Sequence, residues 1–260
     1  MKFIHLTVAV AFTTALVLSA PVAAQTFTTI NLSNVVNGNI ALNPDTFPTG
    51  TTTGNQGTNI PFNIATYGGV AGSWIADNVP GYGFGSSVSG VSLTVNLASN
   101  NISGAASFYA LLNNYWGVAG ANEYNITITA TNNQFVTYSS IGGYDTRDYN
   151  NAQYTNAISN TTTEWFNNSA IEGDLYQRFD VREFTLPGYM AADTIASFTI
   201  AMTDSTEGPG YNMDTAVLSG LTFSTQPAET FPTAAPEPAS LMLLAFGVAG
   251  LMGVRGKRRG

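Results

Sequence analysis

Apolar and polar residues alternate clearly in VSLTVNL. Val91, Leu93, Val95 and Leu97 take one face and Ser92, Thr94 and Asn96 the other, the period of two expected of a half-buried strand. YNITITA repeats it with Tyr124, Ile126 and Ile128, and a Thr-Asn-Asn turn leads on to QFVTYSS, so these two segments predict a hairpin. Phe27 to Val36 predicts an opening strand, and further strands are expected at 176–186, 194–202 and 216–224. AASFYALLNNYW departs from alternation. Phe108, Leu111 or Leu112, and Tyr115 fall at helical intervals with Ser103 as a cap, which predicts one short helix among the strands. Residues 37–62 are polar and rich in turn formers, and predict a loop longer than compact domains ordinarily need. Many short strands separated by turns predict a mainly β fold, a jelly-roll-like β-sandwich with one short inserted helix.

The two ends of the chain have a different pattern. Met1 and Lys2 precede the apolar FIHLTVAVAFTTALVLSA, and Val22-Ala23-Ala24 supplies the small residues of a signal-peptidase site, so residues 1–24 are expected to be a signal peptide cleaved before Gln25. Near the other end, Leu241 to Val254 is an uninterrupted apolar run, extended to 239–254 by Ala239 and Ser240. As a helix it measures roughly 24 Å, just enough to cross a bilayer core. Gly247, Gly250 and Gly253 give a soluble helix little side chain to bury, and suit close helix contacts in lipid better. Arg255, Lys257, Arg258 and Arg259 follow at once, and the positive-inside rule then puts everything before Pro236 outside the cytoplasm. Pro236 and Pro238 keep Glu237 on extended, non-helical chain at the membrane face, which is the form a protease requires.

Pro236-Glu237-Pro238, an apolar helix and a basic tail, in that order and behind a signal peptide, resemble the PEP-CTERM sorting signal of Gram-negative bacteria. The resemblance covers 236–260, with the motif at 236–238, the transmembrane helix at about 239–254 and the tail at 255–260. Many members carry Val before the motif where this chain has Ala235. The resemblance implies an exosortase, a membrane protease-transpeptidase, as partner. It also implies a precursor tethered to the inner membrane and then passed to the cell surface or an extracellular matrix. Residues 25–226 would be the ectodomain and 227–235 a linker.

Between the ends, 25–235 holds fifteen Asp and Glu against three basic residues, Arg147, Arg178 and Arg182, for a net charge of −12. Such a surface repels phosphate backbones, so nucleic acid is excluded as a partner. Divalent cations and neutral sugars remain compatible with it. The same region has no His, Cys or Lys. That excludes Ser-His-Asp and Cys-His catalysis, Schiff bases, and zinc held by His or Cys. An enzyme here would work through carboxylates, as many glycoside hydrolases do with two of them facing across a cleft, or through tyrosine and arginine.

Part of this region, about 105–190, resembles a layout that recurs in PEP-CTERM ectodomains: Trp116-Gly117 before a hairpin, Arg147-Asp148-Tyr149 after it, and a strand ending in Leu186-Pro187. That resemblance implies a β-sandwich, of a kind with no established general activity, and so bears on fold more than on function.

Within 142–154, GGYDTRDYNNAQY gathers Tyr144, Asp145, Arg147, Asp148 and Tyr149 as candidate glycan contacts, since aromatic faces stack on sugars while carboxylates and amides take their hydroxyls. The alternative is a loop whose arginine pairs with a carboxylate and whose tyrosines plug the sandwich edge. Asp145 and Asp148 with Asp180 or Glu183 are weak candidates for structural calcium, a hard cation that takes six to eight oxygens; no other cofactor is expected. Trp74 and Trp165 suit either a ligand platform or the core, and the acidic stretch 204–214 predicts a solvated turn. The function expected is therefore a non-enzymatic surface or matrix protein. The alternatives are a glycan-binding module for extracellular polysaccharide and a carboxylate-based hydrolase.

Overall fold

The computed structural model describes residues 25–39, 46–76, 78–79, 83–84, 91–115, 117–149, 162–168, 177–203 and 215–225. The expected signal peptide, linker, sorting signal, Trp116 and acidic stretch 204–214 lie outside the described residues. Among those described, no helix is long and apolar enough to cross a membrane.

The fold is mostly β. In chain order the strands are β1 (Phe27–Ile30), β2 (Gly50–Thr52), β3 (Phe62–Ile64), β4 (Thr66–Tyr67), β5 (Val70–Ala71), β6 (Trp74–Ile75), β7 (Asn78–Val79), β8 (Gly83–Phe84), β9 (Ser92–Asn96), β10 (Ser107–Tyr115), β11 (Asn122–Ala130), β12 (Phe135–Ile141), β13 (Thr162–Asn167), β14 (Arg178–Thr185), β15 (Ile195–Met202) and β16 (Thr215–Ser224). Among the described residues the short α-helix α1 is Gly188–Ala191, and a 3-10 turn, Ala98–Asn100, follows β9. One sheet runs β1-β16-β10-β14-β13, with β6 also paired to β16; the other runs β12-β11-β15-β9. Both are antiparallel throughout.

The expected strands at 91–97, 124–130, 176–186, 194–202 and 216–224 are present to within two residues at each end, and the first two have the inward faces that alternation assigns. Tyr124, Ile126 and Ile128 are buried in β11, and Val95 and Leu97 are buried in or just after β9. The hairpin to β12 turns through Asn133 at φ +67°, a left-handed position that asparagine tolerates better than most residues. The opening strand is shorter than expected and gives way to a turn at 33–35.

Two expectations are corrected. Residues 107–115 form strand β10, not a helix, and the short helix lies instead at 188–191. β10 is central in its sheet and has an apolar layer on each side. Phe108, Ala110 and Leu112 enter one cluster and Tyr109 and Leu111 the other. A strand buried on two faces is apolar at nearly every position, and its spacing then matches a helix by coincidence. The second correction concerns 37–62. The described part of this segment is no free loop: with the residues up to Ala71 it covers the outer face of the larger sheet. Phe47, Phe62, Ile64 and Ala71 pack with Tyr109, Leu111, Trp165, Phe179, Val181 and Val217 in one buried cluster.

The main cluster lies between the two sheets, where Phe108 stacks on Phe184 at 4.5 Å and meets Phe198 edge-on at 6.1 Å. Bulges keep this core apolar along strands whose sequence breaks simple alternation. In β16 the register passes from Leu111↔Gly220 to Leu112↔Leu218, skipping Ser219. Parity changes there, so Ala216 and Leu218 before the bulge and Leu221 and Phe223 after it all face the same cluster. Ser219 turns away and hydrogen-bonds Ser73 at 2.7 Å. All ten residues of β16 are buried.

Candidate functional site

The chemistry singled out in the sequence converges on β14. Along RFDVREFT the side chains alternate: Phe179 and Val181 enter the outer cluster, and Phe184 enters the cluster between the sheets. Arg178, Asp180 and Arg182 share the parity of Phe184, and Glu183 has the opposite parity. This side of β14 therefore runs from an apolar core into buried charge.

Asp180 is fully buried and accepts two hydrogen bonds from one guanidinium, Arg147 Nε at 2.8 Å and Nη2 at 2.7 Å. Asn113 Nδ2 adds a third at 2.9 Å, and the Asp180 amide donates back to Asn113 Oδ1 at 3.1 Å. Arg147 Nη2 also pairs with Glu164 at 3.0 Å. Arg178 is likewise buried; its Nε and Nη2 donate to the Asp148 carbonyl at 3.1 and 2.8 Å, and its Nε lies 3.7 Å from Asp180. Arg182 pairs with Asp145 at 3.2 Å, donates to Ser140 Oγ at 2.7 Å, and lies 4.3 Å above the Phe184 ring. All three arginines of 25–235 thus enter ion pairs with carboxylates in the fold.

Burial raises the Asp180 pKa, and the hydrogen bonds and charges of Arg147 and Arg178 oppose that shift. Arg182 is lowered by its desolvation, with Asp145 acting against it. Neither group is exposed to a substrate.

The 142–149 stretch is fastened to this network by its backbone. Asp145 accepts from the Ile141 amide at 2.9 Å, Asn114 N donates to the Arg147 carbonyl at 2.9 Å, and Tyr149 N donates to the Asn114 carbonyl at 3.0 Å. Asp145, Asp148 and Tyr149 are buried, Arg147 is largely so, and Tyr144 is 50% exposed. Of the five candidate glycan contacts, Tyr144 presents its side chain to solvent. A polar concavity of about 410 Å³ lies beside Arg147, lined by Gln56, Thr162, Thr163 and Glu164. Glu164, in its wall, shares the Arg147 guanidinium with the buried Asp180.

The four candidate calcium ligands are distributed differently. Asp145 and Asp180 are engaged by different arginines. Glu183, on the opposite side of β14 from Asp180, approaches the Tyr109 hydroxyl at 3.5 Å. Among the described residues, no group of three or more His, Cys, Asp or Glu is placed to hold a metal ion. Trp165 and Trp74 are buried, so both belong to the core.

Sequence reasoning did not identify Glu123, which is buried at the bulge that starts β11. Its Oε1 accepts from the Val118 amide at 2.7 Å, and a Cβ at Gly142 would fall 2.2 Å from the same oxygen. Gly117 is crowded in the same way by Asn114 and Glu123. The described residues of the recurring layout take structural places in the fold. Gly117 makes room for a buried carboxylate, Arg147-Asp148 supplies the ion network, and Leu186-Pro187 caps the end of β14 and starts α1.

Residues 25–235 have no His, Lys or Cys, so no side chain there changes charge between carboxylate and tyrosine titration. Burial pushes Tyr138 up to about 12 and also raises Tyr109 and Tyr124. These hydroxyls hold their protons more tightly folded than unfolded, where tyrosine titrates at about 10. Their contribution to stability is complete below that value and is lost as pH rises through the folded pKa values. Urea unfolding midpoints are therefore expected to stay level from about pH 7 to 9 and to fall between about 10 and 12.

No curated protein and no solved structure matches the chain. Residues 234–259 match the family model described as the PEP-CTERM protein-sorting motif. The chain therefore carries, next to its C-terminus, the sorting motif that marks exosortase substrates.

Proposed function

We propose that this protein is a non-enzymatic component of the surface or extracellular matrix of a Gram-negative bacterium. It is made as a precursor with signal peptide 1–24 and is held in the inner membrane by about 239–254. An exosortase releases it near Pro236-Glu237-Pro238. The observation that carries this reading is the sorting motif at 234–259. Supporting it, 25–235 has no His, Cys or Lys to serve as imidazole base, thiolate or Schiff-base amine, and the buried Asp145 and Asp180 and the neighbouring Glu164 are paired with arginines. In this reading the exported domain is a jelly-roll-like β-sandwich spanning 25–226, followed by linker 227–235.

A second reading, a glycan-binding module, is favoured by one feature of the 142–154 stretch, the exposed ring of Tyr144. The delivery reading is tested in the producing cell. Replacing Pro236-Glu237-Pro238 by three alanines is expected to shift the protein from the surface and medium to the inner-membrane fraction. Unchanged delivery of that variant would remove the motif from the account.

A further inference from the structure

The outward face of the four-stranded sheet takes no part in the ion network, and it is unusually regular. Thr94 pairs with Thr199, Thr199 with Thr127 and Thr127 with Thr137, so a single row of threonines crosses all four strands. The hydroxyls join two by two, Thr94 to Thr199 at 3.0 Å and Thr127 to Thr137 at 2.9 Å. The adjacent row on one side is Ser92, Ala201, Asn125 and Ser139; on the other it is Asn96, Ser197, Thr129 and Phe135. None of these positions is charged, and none is buried. Strands about 4.8 Å apart and same-face residues about 6.8 Å apart make this a patch about 14 Å on a side.

At its corner stands Phe135, 62% exposed. Tyr189 of α1, 49% exposed, lies beside it and donates its hydroxyl to the Phe135 carbonyl at 3.1 Å.

We propose that this face binds a neutral polysaccharide chain, with Phe135 and Tyr189 as the stacking surface and the threonine and asparagine rows as the hydrogen-bonding surface. The inference rests on delivery to the cell surface, where such polymers are found, and names the contact. A hydroxyl is one donor and two acceptors. Each threonine pair therefore uses one donor internally and keeps one donor and several lone pairs for a ligand, which matches a sugar's own hydroxyls. Exposed aromatic rings stack on the apolar faces of sugars.

Charge excludes the alternatives. An acidic polymer needs cations, and the three arginines of 25–235 are paired with carboxylates within the fold. A protein partner needs an apolar centre, and this face has Ala201 and Phe135 as its apolar positions.

The test uses the purified full chain in mild detergent, run by native electrophoresis through gels containing dextran, mannan, hydroxyethyl cellulose or alginate. Retardation is expected in at least one of the three neutral gels and not in alginate. Phe135→Ala and Tyr189→Ala are each expected to weaken it about tenfold, and Thr127→Arg to abolish it, with thermal midpoints close to the parent's. Tyr144→Ala is expected to change nothing. Three results would overturn the proposal: no retardation in any neutral gel, retardation by alginate alone, or retardation lost with Tyr144→Ala but kept in Phe135→Ala and Tyr189→Ala. Phe135 and Tyr189 project into solvent, so their removal opens no core. Binding is read on the purified chain, so its failure leaves the delivery reading standing, and a failure of delivery leaves this result interpretable.

Discussion

Asp180→Ala is expected to destabilise the folded region by about 3–5 kcal/mol, measured by urea unfolding at pH 7. The aspartate is buried among Arg147, Arg178 and Asn113, and its loss leaves two arginines facing each other in a desolvated site with Glu164 as the remaining carboxylate. Removing one partner of a buried pair costs more than replacing the pair, because the surviving charge keeps its desolvation penalty. The double variant Asp180→Leu/Arg147→Met is therefore expected to recover part of the loss. A single variant that costs less than about 1 kcal/mol, the scale of an exposed pair, would show that solvent reaches the network.

Trp165→Ala is expected to cost about 3–5 kcal/mol for a different reason, since it opens a cavity between two layers. Trp165 is the extra residue at a bulge in β13 and is fully buried. Its ring meets Phe62 edge-on at 5.3 Å, and its Nε1 donates to the Ile60 carbonyl at 2.9 Å. Its own carbonyl accepts from the amides of Asn55 and Gln56, each at 3.2 Å. Gly54 makes this approach possible. It sits at φ +71°, and a Cβ there would lie 2.2 Å from the Trp165 carbonyl oxygen. The indole thus fastens the 54–62 segment to the sheet. Besides the drop in unfolding free energy, proteolysis is expected to begin within 46–62 in Trp165→Ala and to spare that segment in the parent. An unchanged cleavage pattern with parent-like stability would contradict the covering role of that segment.

These two sites mark where sequence reasoning succeeded and where it stopped. Strands with one wet face are legible, because away from their bulges β9, β11 and β15 turn alternate apolar residues toward the core and leave the intervening positions, mostly Ser, Thr and Asn, less buried. β10 has the spacing of a helix because it has no wet face. The covering segment was hidden by dilution. Phe47, Phe62 and Ile64 are separated by Gly, Thr and Asn, and the strands there are only two or three residues long. The concentration of Asp, Arg and Tyr at 142–149 was visible as composition. That Arg147 would reach Asp180, 33 positions away, was not, because ion-pair partners leave no periodicity. The threonine row was legible only strand by strand. Thr94, Thr127, Thr137 and Thr199 were each assigned to a wet face or a strand, and inter-strand register alone aligns them.

In the delivery route proposed for this chain, the basic, apolar C-terminal segment is an address that is read and removed, and the folded region is what remains at the surface. Its most direct test is the intact mass of the protein recovered separately from membranes and from the medium or matrix. The account predicts a surface or medium form that begins near Gln25 and ends close to Pro238, with the longer form confined to the membrane. Recovery of nothing but a membrane form that retains Arg255 to Gly260 would contradict it and make the tail a permanent anchor.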